Sequence, residues 1–141
     1  MSKTKIMLAT LALGATVALA GPAFAEKMKA TLDGKSEVPA TTSTGKGTAD
    51  IDYDAATKKL SWKLTYSGLT GPATAAHFHG PAGPTEKAGV AVAIPNAATS
   101  PVEGSAMLTD AQAADLVAGK YYINIHTAAN PGGEIRGQVT K

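Results

Sequence analysis

The chain carries three histidines, and each sits where a strand-like segment runs into a Gly/Pro-rich turn. His77 and His79 lie one residue apart in AHFHGPAGP, and His126 precedes the turn in NIHTAANPGGEIRGQ. Residues i and i+2 of a strand share one face, with Cβ atoms about 6–7 Å apart. Two imidazoles at that spacing can converge on one ion, whose bonds to nitrogen are about 2.0–2.1 Å for zinc. A third ring from a neighbouring strand completes a three-nitrogen face, so His77, His79 and His126 are the candidate metal ligands. Neutral imidazoles suit copper and zinc, and the Irving–Williams order favours copper, with zinc the alternative. The chain has no cysteine, which removes the thiolate that a blue-copper centre needs.

The competing reading is a metal-free structural or protein-interaction module of the cell envelope. There the three histidines would hold the Gly/Pro loops in shape by hydrogen bonds, and Tyr121 or Tyr122 would meet an envelope partner at the loop rim. Met28 and Met107, the methionines outside the first 25 residues, are expected in core strand positions rather than as soft ligands. Glu134 has two readings: an acceptor for an imidazole N–H, or a partner in an exposed pair with Arg136. Asp50, Asp52 and Asp54 read as solvated surface. Catalysis is the less favoured reading, because there is no cysteine nucleophile, no G-x-S-x-G elbow and no evident acid–base machinery.

The elements that must position these residues are short strands between turn signals, as in an all-β sandwich or barrel. Lys27 to Asp33, Thr48 to Tyr53, Lys59 to Tyr66, Thr74 to His79, Gly89 to Ile94, Val102 to Leu108, Tyr121 to Thr127 and Glu134 to Thr140 read as strands. Leu60, Trp62, Leu64 and Tyr66 alternate with polar residues, and Trp62 is expected in the core. Alternation puts Ala76 and Phe78 on the core face and His77 and His79 on the other. It likewise turns Ile123 and Ile125 inward and Tyr122, Asn124 and His126 the opposite way, with Glu134, Arg136 and Gln138 also outside. One helix is predicted in LTDAQAADLVAGK, with Thr109 and Gln112 as a capping box and Gly119 past its end. Leu116 and Val117 would dock it. No internal repeat is present.

Residues 1–25 read as a secretory signal peptide: Lys3 and Lys5, an apolar run, and Ala23-Phe24-Ala25 before cleavage. The expected protein is then one domain, residues 26–141, periplasmic or secreted, with no membrane span of its own. The leader holds two of the 13 basic residues and none of the 11 acidic ones, so the remainder carries 11 of each and a net charge of zero. A neutral surface gives no support to nucleic acid as a partner.

AHFHGPAGPTEKAGVAVAIPN followed by GKYYINIHTAANPGGEIRGQV resembles the CHRD domain, the module named after chordin and also found in secreted bacterial proteins. ATLDGKSEVPATTSTGKGTADIDYD is similar to the opening of that family, so the resemblance spans essentially residues 26–141. It implies an antiparallel β-sandwich of Greek-key, superoxide-dismutase-like type with one short helix, in a single-domain exported protein. It brings no settled activity, and the growth-factor partners of chordin are not carried over. The HxH strand is also similar to that of copper–zinc superoxide dismutase. Three histidines without a cysteine cannot furnish that enzyme's two metal sites, bridging histidine and disulfide.

Overall fold

Alternation of apolar and polar residues decides the architecture. The computed structural model describes residues 14–16 and 25–141, so the leader read at residues 1–25 lies almost wholly outside the described residues. Eight strands form: β1 (Glu26–Asp33), β2 (Lys46–Asp54), β3 (Lys59–Ser67), β4 (Ala73–His79), β5 (Val90–Ile94), β6 (Val102–Met107), β7 (Tyr122–Thr127) and β8 (Ile135–Gln138). The helix α1 (Asp110–Val117) lies between β6 and β7. All strand pairs are antiparallel, in one sheet ordered β5-β4-β7-β8-β1-β2-β3-β6. The fold is therefore all-β, as the spacing of turns predicts. No helix among the described residues is long and apolar enough to cross a membrane.

The sheet wraps back on itself around one core. Trp62 of β3 meets Phe78 of β4 edge-on, with ring centroids 5.3 Å apart, although the two strands stand far apart in the sheet order. Met28, Leu32, Ile51, Leu60, Leu64, Ile123, Ile125 and Ile135 fill the space between the halves. Glycine is required where backbone or ring comes too close for a Cβ: one on Gly104 would stand 2.6 Å from the Trp62 ring, and one on Gly137 would stand 2.2 Å from the Thr31 carbonyl oxygen.

The helix forms as its ends dictate. Thr109 accepts from the Gln112 N–H, while the Gln112 side chain accepts from the Thr109 N–H. Gly119, at φ +76°, closes the other end, with Gly119 N–H on Leu116 O and Lys120 N–H on Asp115 O. Gln112 also donates to Ala91 O, tying the helix to the edge strand β5. Two expectations are corrected. Ala113 and Leu116 form the buried stripe and Val117 is exposed. Met107 is 64% exposed, because counting by twos from buried Val102 turns Gly104 and Ala106 inward and Met107 outward.

One buried side chain ties the loops at one end of the sheet. The Glu134 carboxylate, fully buried, accepts from Thr70 N–H at 3.0 Å, Ser43 Oγ at 2.9 Å, Thr127 Oγ1 at 2.8 Å, Asn130 Nδ2 at 3.1 Å and also the Thr70 hydroxyl. Thr41 Oγ1 donates to its main-chain oxygen at 2.7 Å. Both expectations for Glu134 are thereby corrected: it serves neither an imidazole nor Arg136, because three loops supply a full set of donors first. Asp52, by contrast, lies at the surface as expected, paired with Lys27 at 2.6 Å.

Burial by itself would raise the Glu134 pKa, but the donors, Thr70 foremost, hold it at about 2 against an ordinary 4.5. A carboxylate depressed by folding contributes stability above its unfolded pKa and loses that contribution as pH falls through the folded value. Calorimetric melting is expected to show about 3 kcal/mol of stability lost between pH 4.5 and 2 on this account. Glu134→Gln is expected to melt lower at pH 7 and to have a flatter profile across that window.

Candidate metal centre

Cross-strand register assembles the polar face of β4, β7 and β8. His77 pairs with Asn124, which pairs with Arg136; His79 pairs with Tyr122, which pairs with Gln138; Ala75 pairs with His126. Direct cross-strand neighbours share a face. The three histidines therefore lie on one surface of two adjacent strands, on the side away from the apolar core, as alternation predicts.

That surface is roofed rather than open to water. His79 is 8% exposed, and Asn124, Tyr122 and Arg136 are buried, while His77 and His126 are half-buried. Tyr122 Oη exchanges hydrogen bonds of 3.2 Å with the Ala88 N–H and carbonyl, Arg136 donates to Gly83 O at 2.9 Å, and Gln138 donates to Ala82 O at 2.9 Å. These bonds clamp the 80–89 loop over the face. The Tyr122 ring lies between the Arg136 guanidinium, 3.5 Å from its centroid, and the His79 ring, stacked at 4.8 Å. The expectation that Tyr121 or Tyr122 offers a surface is corrected: both are buried, Tyr121 in the core and Tyr122 in this stack.

Each histidine has a distinct setting. His126 Nδ1 lies 2.8 Å from Pro131 O, and a carbonyl only accepts, so that nitrogen carries the proton and Nε2 presents a lone pair. This Nε2 stands 3.1 Å from His77 Nδ1. Two ligand nitrogens with bonds of about 2.05 Å are 3.1 Å apart when the angle at the ion is about 100°. One nitrogen from each of the three rings falls within 4.8 Å of the others. Two ligands of one ion are about 3.3 Å apart at a tetrahedral angle and about 4.1 Å at most, so loading all three asks the widest pair to close by roughly 0.7–1.5 Å. The residues fit a single transition-metal ion held by three imidazoles.

His79 is held most firmly, with Nδ1 3.0 Å from Ala88 O and Nε2 2.8 Å from Asn124 Oδ1. Beyond Asn124 lies Glu37, a buried carboxyl from the 34–45 loop. A Cβ on Gly133 would stand 2.3 Å from Glu37 Oε1 and 2.6 Å from Asn124 Nδ2, so glycine is what admits the two groups there. Glu37, Lys87, Asn130 and Pro131 also line a groove of about 450 Å³ that opens beside this face. Burial pushes Glu37 above the usual carboxylate range, against hydrogen bonds from Val38 and Asn124 and the nearby Arg136. Burial likewise depresses His77, helped by its two histidine neighbours. It depresses His79 as well, against the hydrogen bonds the ring makes to the Ala88 carbonyl and to Asn124 Oδ1.

The sequence places Tyr122, Asn124 and Arg136 on this face by parity but does not assign them contacts. Glu37 it misses, since only the SEVP segment, a loop by composition, carries it.

The family model described as CHRD domain matches residues 28–139 of the chain. Comparison with curated proteins and with solved structures returns no match.

A histidine whose pKa is depressed by folding stabilises the fold above about 6.5, its unfolded value, and loses that contribution as pH falls below it. The metal-free protein is therefore expected to lose stability progressively below pH 6.5. Urea unfolding at pH 7.5, 6.5 and 5.5 checks this. The double variant His77→Gln/His79→Gln is expected to have a flatter profile, while Glu37, shifted in the opposite sense, contributes equally to both proteins.

Proposed function

The chain belongs to the CHRD-domain family, and from that premise we propose that it is an exported protein holding one copper ion through His77, His79 and His126, for sequestration or delivery. The observation that carries this reading is the 3.1 Å approach of His77 Nδ1 to His126 Nε2, with His126 fixed by Pro131 in the tautomer that frees the approaching nitrogen. Hydrogen bonding of one ring nitrogen to a carbonyl is how metal-ligating histidines are commonly oriented. Nitrogen-only ligation favours copper by affinity, with zinc as the alternative ion. The basic, apolar and small-residue segments of residues 1–25 support export to the periplasm or beyond.

A second reading has an observation of its own. His79 and His126 each clasp a loop carbonyl, Ala88 O and Pro131 O, so the rings also serve as loop fasteners in a metal-free module that meets an envelope partner.

Calorimetric titration of the chelator-treated protein with cuprous, cupric and zinc ions separates the two. One ion per chain is expected, with binding lost in folded His77→Ala/His79→Ala/His126→Ala and weakened as pH drops through about 6.5. At a free-ion concentration one hundred times Kd, the gain of about 2.7 kcal/mol raises Tm by roughly 10 °C. A Tm indifferent to all three ions and to chelators would leave the loop-fastening reading in possession.

A further inference from the structure

The sheet begins at β5 and ends at β6, and its two edges are finished differently. At β5 the ladder with β4 shifts register between Phe78 and His79, and Gln112 of α1 donates to Ala91 O. Bulges and covering elements are how natural sheets blunt an edge. β6 has neither. It stays in unbroken register with β3 from Val102 to Met107, and Glu103 is its one charged residue.

The ladder fixes which backbone groups of β6 are spare. Leu108 N–H donates to Lys58 O, and Tyr66 N–H turns toward the same side to reach Ser100 Oγ. In an antiparallel ladder, residues alternate between exchanging both bonds with the strand opposite and turning both groups away from it. Leu60–Ala106, Trp62–Gly104 and Leu64–Val102 are therefore the bonded pairs, and Glu103, Ser105 and Met107 direct their N–H and C=O outward. Among the described residues these outward groups have no backbone partner. Nothing closes over them: Glu103, Ser105 and Met107 are exposed, and even the inward-turned Gly104 and Ala106 are only half-buried. The next outward position, Pro101, has no N–H, and at the other end Thr109 already caps the helix. The free edge is thus the stretch from Glu103 to Met107.

We propose that this edge pairs antiparallel with the same edge of a second copy of the chain, with the two-fold axis at Ser105. A two-fold contact sets one surface against itself, so the segment must complement its own reverse. Centred on Ser105 it does. Ser105 meets the partner's Ser105, Glu103 meets the partner's Met107, and Met107 meets the partner's Glu103, so every outward N–H and C=O of the edge finds its bond. Inward residues stay inward, with Gly104 opposite the partner's Ala106. No like charges stand opposite one another, and Glu103 keeps Lys63, 3.9 Å away, on its own β3. Ser61 pairs with Ser105, so the join lies in a neutral row of serines running on into the partner's Ser105 and Ser61. Met107, 64% exposed, gains a neighbouring strand. A two-fold centred on Gly104 does less well, because it sets Met107 against the partner's Pro101 and loses that pair of bonds. The contact is small, of the class that associates weakly and transiently, and it owes nothing to the histidines.

The test is sedimentation velocity of the full chain over a concentration series, with chelator present so that no ion bridges two copies. The wild type is expected to shift from monomer toward dimer as concentration rises. Ser105→Pro removes an N–H that the monomer does not use, at an edge position where proline is tolerated, and is expected to stay monomeric throughout. Ser105→Lys keeps the N–H but sets like charges opposite each other at the axis, and is expected to lose the dimer as well. Because the chain has no cysteine, one introduced thiol reports the register. The two copies of Ser105 would have Cα atoms about 5.5 Å apart, within disulfide range, whereas the two copies of Glu103 would be about 13 Å apart. Under mild oxidation Ser105→Cys is therefore expected to form a disulfide-linked dimer and Glu103→Cys to remain monomeric. A wild type that is monomeric at every concentration overturns the proposal. So does a dimer that survives in folded Ser105→Pro and Ser105→Lys, or cross-linking no faster through Ser105→Cys than through Glu103→Cys.

Discussion

A carboxylate taken out of water must find donors, and Glu134 is where this chain meets that demand. Its donors come from Ser43, from Thr70 and from Thr127 and Asn130 at the β7–β8 turn, three connections that lie far apart along the chain. Bonds to a charged acceptor are stronger than neutral ones, and an unsatisfied buried hydroxyl or amide is costly. The loops over this end of the sheet are consequently fixed by one side chain. The carbonyl of Pro131, which sets the tautomer of His126, lies in the turn that Glu134 closes. The metal-ready geometry thus begins with a residue that touches no histidine ring.

Above that knot, strand parity sorts two interiors. One face of β4, β7 and β8 is apolar and meets β1–β3 across the core; the other carries His77, His79, Tyr122, Asn124, His126, Arg136 and Gln138 beneath loops. A polar layer of this kind tolerates burial only when its groups are paired. Here the guanidinium of Arg136 rests on Tyr122 and on a loop carbonyl, and Tyr122 and His79 share Ala88 as partner. Each bond that satisfies a side chain also holds a loop down, so the roof and the layer form together.

Much of this is legible in the sequence. Period-two alternation gives the strands and the shared face of the histidines, and Thr109, Gln112 and Gly119 give the helix and its ends, because these signals are local. What stayed hidden depended on distant partners. Met107 looks like any other strand methionine until Val102 is known to be the buried residue from which β6 alternates. Glu134 is eight residues from His126, whereas its donors Ser43 and Thr70 lie 91 and 64 residues away along the chain. Glu37 sits in a loop whose composition says only that it turns. Alternation tells which way a strand residue faces but not whether water lies there, and the loops that cover this face carry no signal of where they fold.

The loop-fastening and metal-holding readings do not explain the three histidines equally well. Fastening accounts for His79, which holds Ala88, and for His126, which holds Pro131. It leaves His77 without a task, since its one hydrogen bond among the described residues is to His126, and it reaches no loop backbone. Burial and the two rings beside it disfavour its protonation, and the one side-chain acceptor it meets is the neutral His126 Nε2. A third imidazole in that position makes physical sense where the charge to be accommodated is a cation between the rings rather than a proton on one of them. On that view the carbonyl bonds of His79 and His126 are the means by which the free nitrogens are aimed, and fastening the loops is a consequence of aiming them.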